Sequence, residues 1–432
     1  MWVSPRGATG GLGDIMGSTL ATAPASDGIS TPLDAFTPMQ RVVLSANGNL
    51  QRLVSSYHDS PVTVSTRYSR RVSPGHFERQ VDLFVLGTAF ARATSTVHLE
   101  REDCVRAIED GGVAIGQLFR CFNILPAFTL HAAGFVAPCA DAESSAAPTS
   151  EARAGEAHDD GCIFAGAARS FWRRYTLSGD GVECRIYEEI RCDLFDLPAE
   201  ATAADVSGVS VKAVVANGGA DARGGVANGA KFEAAADAPL PAEAPPATTA
   251  SLGDIMAPSA TFSRLPPGFS ALQRVLLTAN GNVERMVSSY YRKPAQLYVV
   301  LNNKRGAVYD REVALMMDGR QLMLAKSTCF ITDYAWESAA ATEGLAVGAL
   351  FRRFNVLPTF TLHAAGIIAG GFWRQYQLQA PGLTCEINET FDASCFGGDG
   401  EEAAAAAERE SKRPRREGED DAAGAACDAY GI

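Results

Sequence analysis

Two kinds of charged residue stand where strand alternation calls for apolar ones, and each occurs twice. In the stretch Phe77–Val85, the alternate positions Phe77, Val81, Leu83 and Val85 are apolar, and Arg79 shares their face. Tyr309, Val313, Leu315 and Met317 share a face with Arg311 in the same way. Further along, Val182, Cys184, Ile186 and Ile190 share a face with Glu188, and Leu383, Cys385, Ile387 and Phe391 share one with Glu389. A charge buried without a partner costs several kcal/mol, so each must meet a counterpart. Two chemistries answer that need. One is a structural Arg–Glu ion pair in each core. The other is a buried pocket in which arginine grips a ligand carboxylate as a fork and glutamate meets a hydroxyl at the opposite end.

Other reactive residue types are less telling. His131 and His363 recur in Thr-Leu-His-Ala-Ala-Gly, but no Ser or Cys nucleophile recurs beside them, so they read as satisfied histidines at a helix end. Cys184 and Cys385 sit mid-strand on apolar faces and read as core. The ten cysteines include no CxxC pair and no Cys/His metal spacing, so they read as reduced and mostly structural rather than as a disulfide framework or zinc site. Asn47-Gly48-Asn49 and Asn280-Gly281-Asn282 are turns that could present backbone N–H groups to an anion. No GxGxxG follows a strand and no GxxxxGK[ST] is present, so no nucleotide cofactor is indicated.

The elements that must position these residues come as a duplication. Gln40–Asn49 returns as Gln273–Asn282, Val54–Tyr57 as Val287–Tyr290, and Leu118–Gly134 as Leu350–Gly366. Phe171-Trp172-Arg173 returns as Phe372-Trp373-Arg374, and Leu12–Met16 as Leu252–Met256. Within each copy the order reads helix, strands, helical middle, strands. Met39–Tyr57 is helical with a break at Asn47–Asn49. Val62–Tyr68 and Gln296–Leu301 read as strands, and Val113–Phe122 and Ala346–Phe354 as helices. Arg173–Leu177 and Val182–Ile190 form a hairpin across Ser178–Gly181. The class is α+β, each copy a mainly antiparallel sheet flanked by helices. Because each copy holds a full set of elements, the two cores are expected to stay separate.

This gives an N-terminal extension over 1–35, a first copy over 36–197 with an insertion at 136–168, and a second copy over 251–397. An Ala/Pro-rich linker over 198–250 and a tail over 398–432 have the composition of disordered chain. The basic cluster Lys412–Arg416 in that tail reads as a solvated charge run. Hydrophobic residues at 47% and charged residues at 20% fit globular domains. A net charge of −12 argues against a nucleic-acid partner, and no apolar run is long enough to span a bilayer. No secretory signal is read, so the chain is expected inside the cell.

Taken in order, Gln-Arg-(apolar)₃-(Ser/Thr)-Ala-Asn-Gly, Phe77–Val81, Ile115–Phe119, Phe171–Tyr175 and Ile186–Glu188 resemble the chorismate pyruvate-lyase superfamily, once in each copy. The resemblance implies an antiparallel sheet with a site buried under helical flaps. It also implies conversion of chorismate to 4-hydroxybenzoate, a quinone-ring precursor, and pyruvate without cofactor. The family's carboxylate-binding arginine falls on Arg79 and Arg311, and its glutamate on Glu188 and Glu389. Backbone donors fall near Asn49 and Ile115, and near Asn282 and Val347. A cation that the lyases carry before a Phe-Ile-x-x-Gly segment is replaced here by Phe128–His131 and Phe360–His363. The partner so implied is a small aromatic or chorismate-like carboxylic acid, and the two copies could pair within the chain. The alternative is a protein of the same fold that binds an aromatic acid, or serves as a scaffold, without catalysis.

Overall fold

A computed structural model describes residues 18–20, 31–110, 113, 117–136, 164, 169–197, 265–343 and 347–395. Most of the 1–35 extension, nearly all of the 136–168 insertion, the 198–250 linker, the 398–432 tail with Lys412–Arg416, the Leu12–Met16 and Leu252–Met256 repeat, and Ile115 lie outside the described residues.

In the first copy, α1 (Pro38–Leu44) and α2 (Leu50–His58) precede β2 (Thr63–Ser73), β3 (His76–Val85) and β4 (Thr88–Leu99). Then come α3 (Glu102–Glu109), α4 (Leu118–Cys121), β5 (Ala127–Val136), β6 (Ser170–Gly179) and β7 (Val182–Arg191). The second copy repeats the plan. It runs α5 (Ala271–Leu277), α6 (Val283–Tyr291), β8 (Gln296–Arg305), β9 (Val308–Met317), β10 (Arg320–Ile331), α7 (Tyr334–Glu343), α8 (Val347–Arg353), β11 (Thr359–Ile368), β12 (Gly371–Ala380) and β13 (Leu383–Asp392). The strands form two separate sheets of the same order, β5-β6-β7-β4-β3-β2 and β11-β12-β13-β10-β9-β8, all antiparallel. A short β1 (Ser18–Leu20) adds to β5 in parallel. The chain is therefore a duplicated α+β domain. No helix among the described residues is long and apolar enough to cross a membrane.

Local chemistry accounts for the elements. Thr37 and Ser270 cap α1 and α5 with full capping boxes through Gln40 and Gln273, which explains the recurrent Gln-Arg start. Asp180 and Gly181 both take positive φ, as a tight hairpin between β6 and β7 requires. A Cβ on Gly134 would lie 2.9 Å from the Trp172 ring, so the glycine of His-Ala-Ala-Gly and the tryptophan of Phe-Trp-Arg belong to one contact.

Two expectations are corrected. His131 and His363 end no helix; they are the extra residues at bulges in β5 and β11, where register slips between Leu130/Ala132 and Leu362/Ala364. His131 Nε2 meets Thr176 Oγ1 at 2.7 Å. The described helix within Val113–Phe122 is only Leu118–Cys121, and Val113 lies outside it.

The cores are also not separate. Val42, Val43 and Leu44 are all buried, and three consecutive residues of a helix cannot face one sheet. One side of α1 and α2 covers the first sheet, and the other meets α6 and α5 of the second copy. Val42, Val43, Leu53 and Val54 thus join Val275, Leu276 and Val287 in one apolar cluster. Arg41 donates from Nε to Ser289 O at 3.0 Å and from Nη2 to Tyr290 O at 2.6 Å. Its counterpart Arg274 donates to Ser56 O at 2.9 Å and to Tyr57 O at 2.5 Å. Ser56 and Thr278 hydroxyls meet at 2.5 Å. Each arginine covers carbonyls that end the other copy's helix, where the helix dipole favours a cation.

The copies should therefore unfold as one cooperative unit. Scanning calorimetry is expected to show a single transition that Arg41→Met and Arg274→Met each lower, by about 2 kcal/mol or more for the charge-assisted bonds lost. Two resolved transitions in the parent protein would contradict a shared core.

Candidate functional site

The register of each sheet brings the charged positions into rows. In the second copy one row runs Val313, Ala325, Glu389, Arg374 across β9, β10, β13 and β12, and the next runs Arg311, Ser327, Ile387, Tyr376. The first copy repeats them as Val81, Ala93, Glu188, Arg173 and as Arg79, Ser95, Ile186, Tyr175. Arg311 and Glu389 hence share a face but stand two strands and two residues apart, roughly 12 Å between Cα atoms at ordinary strand spacing. They do not pair with each other.

Glutamate pairs instead with an arginine that strand alternation on β7 and β13 alone does not single out. Arg173 Nε donates to Glu188 Oε2 at 2.7 Å, and Tyr175 OH donates to Oε1 at 2.8 Å. Arg173 Nη1 reaches the end of α1, donating to the carbonyls of Val43, Leu44 and Ala46 at 2.7, 3.2 and 2.6 Å. The second copy reproduces this with Arg374, Glu389 and Tyr376, and with the carbonyls of Leu276, Leu277 and Ala279. Arg173 and Arg374 are fully buried. The tyrosines also lie against them, with guanidinium-to-ring distances of 4.4 Å in both copies. Burial first, and the adjacent glutamate second, raise the Tyr175 and Tyr376 hydroxyls well above the ordinary tyrosine value, so they stay as donors.

An Arg–Glu ion pair thus exists in each core, but Arg79 and Arg311 are left over from it. Arg311 is 3% exposed, and its Nε and Nη2 have no hydrogen-bond partner among the described residues. Desolvation lowers the Arg79 and Arg311 guanidinium values below the usual arginine range, which is the mark of a cation without a full complement.

Beside Arg311 lies a cavity of about 90 Å³. Its wall includes Glu389, Arg374, Tyr376, Ser327, the start of α6 at Val283 and Glu284, and Val347-Gly348 on α8. Arg311 itself is not in the wall, but its cross-strand neighbour Ser327 and the adjacent Val313 are. Asn49 and Asn282 are buried at the starts of α2 and α6, and the side-chain oxygen of each lacks a hydrogen-bond partner among the described residues. In the second copy the fold therefore gathers Glu389, Val347 and the Asn282 turn around one space, with Arg311 next to it. Cys184 is buried, and burial pushes its thiol up to about 12, as suits a core residue.

Arg173 and Arg374 were readable by the same rule as the others, since Phe171, Tyr175 and Leu177 share the face of Arg173. No family model matches this sequence, and no curated protein is similar enough to be matched to it.

The two kinds of arginine should separate cleanly by stability. Arg374→Met leaves Glu389 buried without its cation and is expected to cost on the order of 3–5 kcal/mol. Arg311→Met removes an unsatisfied cation and is expected to be neutral or stabilising. Urea denaturation checks both, and equal losses would refute the distinction. The tyrosines give a pH signature as well. Their folded values lie above the unfolded 10, so their contribution is intact below pH 10 and is lost as pH rises toward the folded value. The urea midpoint should fall more steeply above pH 10 in the parent protein than in Tyr175→Phe/Tyr376→Phe.

Proposed function

We propose that each copy binds a small aromatic or chorismate-like carboxylic acid, and that the protein eliminates pyruvate from chorismate to give 4-hydroxybenzoate. The observation that carries this reading is Arg311, buried and lacking partners for two nitrogens beside a cavity walled by Glu389. A structural ion pair accounts for Arg374 and leaves Arg311 unexplained; a ligand carboxylate accounts for it.

The chemistry asks little of the protein. The ring C–O bond to the enolpyruvyl ether breaks, and the hydrogen on the neighbouring hydroxyl-bearing carbon leaves as a proton. The ring becomes aromatic, and enolpyruvate gains a proton to depart as pyruvate. Arg311, or Arg79 in the first copy, would hold the ring carboxylate as a charge-assisted fork. Glu389, or Glu188, would meet the hydroxyl or ether end. Helices α6 and α8 would exclude water and strengthen both contacts.

Binding without turnover is the second reading, and a specific observation favours it. Both oxygens of Glu389 already accept bonds, from Arg374 and from Tyr376, which limits its freedom to exchange a proton.

Incubation with chorismate separates the two: 4-hydroxybenzoate absorbance is expected under the first reading and absent under the second. Calorimetric titration with 4-hydroxybenzoate should show binding under both. Arg79→Met/Arg311→Met should weaken that binding about 30-fold, or ~2 kcal/mol, with folding retained. Unchanged affinity in the folded double variant would overturn both readings.

A further inference from the structure

The first copy's buried clamp closes into a ring, and one member of that ring comes from the other copy. Arg285, on α6 of the second copy, donates from Nη1 to Ser45 O of the first at 3.3 Å. With the Asn47 amide turned so that its oxygen faces the guanidinium, that oxygen accepts from Nη1 and Nη2 at 2.7 and 3.2 Å. The Arg285 guanidinium also lies 5.8 Å from the centre of the Phe128 ring. Phe128 packs against Tyr175 at 5.3 Å between centroids, Tyr175 donates to Glu188, and Glu188 pairs with Arg173. Arg173 then returns to Val43, Leu44 and Ala46, the turn that Arg285 holds from outside.

The aromatic part of this arrangement recurs in the second copy with Arg52, on α2 of the first copy. Its guanidinium lies 5.7 Å from the centre of the Phe360 ring. Phe360 packs against Tyr376 at 5.1 Å, and Arg374 approaches the same ring at 6.0 Å. Asn123 of the first copy adds a bond to the backbone N–H of Leu357 at 3.2 Å, close to these rings in sequence.

We propose that each ligand pocket is positioned by an arginine of the opposite copy, Arg285 for the first and Arg52 for the second. The two sites of the chain are then interdependent. This rests on the aromatic-acid reading for its ligand but on the crossed contacts for its geometry. Both arginines are positioning residues: each lies over the aromatic ring that packs on the clamp tyrosine, and Arg285 also holds the helix-end turn. A guanidinium over a ring face and at a helix C-terminus is stabilised by the ring quadrupole and by the helix dipole.

The test uses the full chain, with one site silenced at a time and 4-hydroxybenzoate as the probe. In Arg311→Met protein, where the first site remains, Arg285→Gln should weaken binding about tenfold. In Arg79→Met protein, where the second remains, Arg52→Gln should do the same. The exposed Arg320→Gln should change neither. Arg285→Lys, which keeps the charge, should recover part of the loss. If each loss follows the copy that carries the arginine, or if neither variant loses affinity, the inference fails. Hydrogen exchange of the ligand-free protein decides the case in which no acid binds. Arg285→Gln must then raise exchange in segment 43–49 of the first copy more than in segment 276–282 of its own copy. The opposite order overturns the inference, whereas absence of binding by the parent protein overturns only the functional reading.

Discussion

The buried arginine–glutamate clamp is the interaction on which the rest of the structure depends. Arg173 and Arg374 each tie two layers together: they neutralise a glutamate on the neighbouring strand and satisfy three carbonyls where a helix ends. A fully buried arginine is tolerable only when nearly every donor has an acceptor, and here the helix C-terminus supplies what the sheet cannot. The same contacts fix where α1 and α5 stop, and so where the Asn-Gly-Asn turns and the following helices begin. Because α2 and α6 begin there, the clamp also sets the surfaces through which the copies meet.

That dependence explains why duplication produced one core. Each short helix pair is buried on two sides, and neither sheet covers more than one of them. A second helix pair of the same shape is the natural cover, since an arginine at one helix's C-terminal turn finds carbonyls at the other's. The reciprocal bonds of Arg41 and Arg274 are pseudo-symmetric for this reason.

Much of this was legible in the sequence. Strand alternation placed Glu188 and Arg311 on buried faces, and the repeat disclosed two equivalent domains. The partner of Glu188 was within reach as well. Counting outward from the Asp180-Gly181 turn, the same number of residues each way lands on Arg173 and Glu188, and the hairpin register pairs them. What alternation could not supply was the order of strands: β4 runs between β3 and β7, so Arg79 lies two strands from the glutamate to which pattern had joined it. The helix-end reading of His131 failed because a bulge adds a residue and breaks period-2 patterning at that point. The shared core was foreshadowed by Val42-Val43-Leu44, whose contiguous apolar residues demand cover on more than one side.

The two copies share a frame, but their surroundings diverge near the leftover arginines. Glu284 puts a carboxylate in the wall of the second copy's cavity, and the matching residue of the first copy is the neutral, buried Gln51. Cys329 faces Cys385 across β10 and β13, where the first copy has Val97 facing Cys184. Hydrogen bonding to Cys385, and the nearby Arg311 guanidinium, lower the Cys329 thiol, whereas burial raises its partner. A carboxylate there changes the local charge, and a polarisable thiol answers part of a cation's need where valine cannot. The clamp residues are identical in both copies because the helices, the sheet and the interface all require them. Residues beside the leftover arginines meet no such demand, and there the two copies differ.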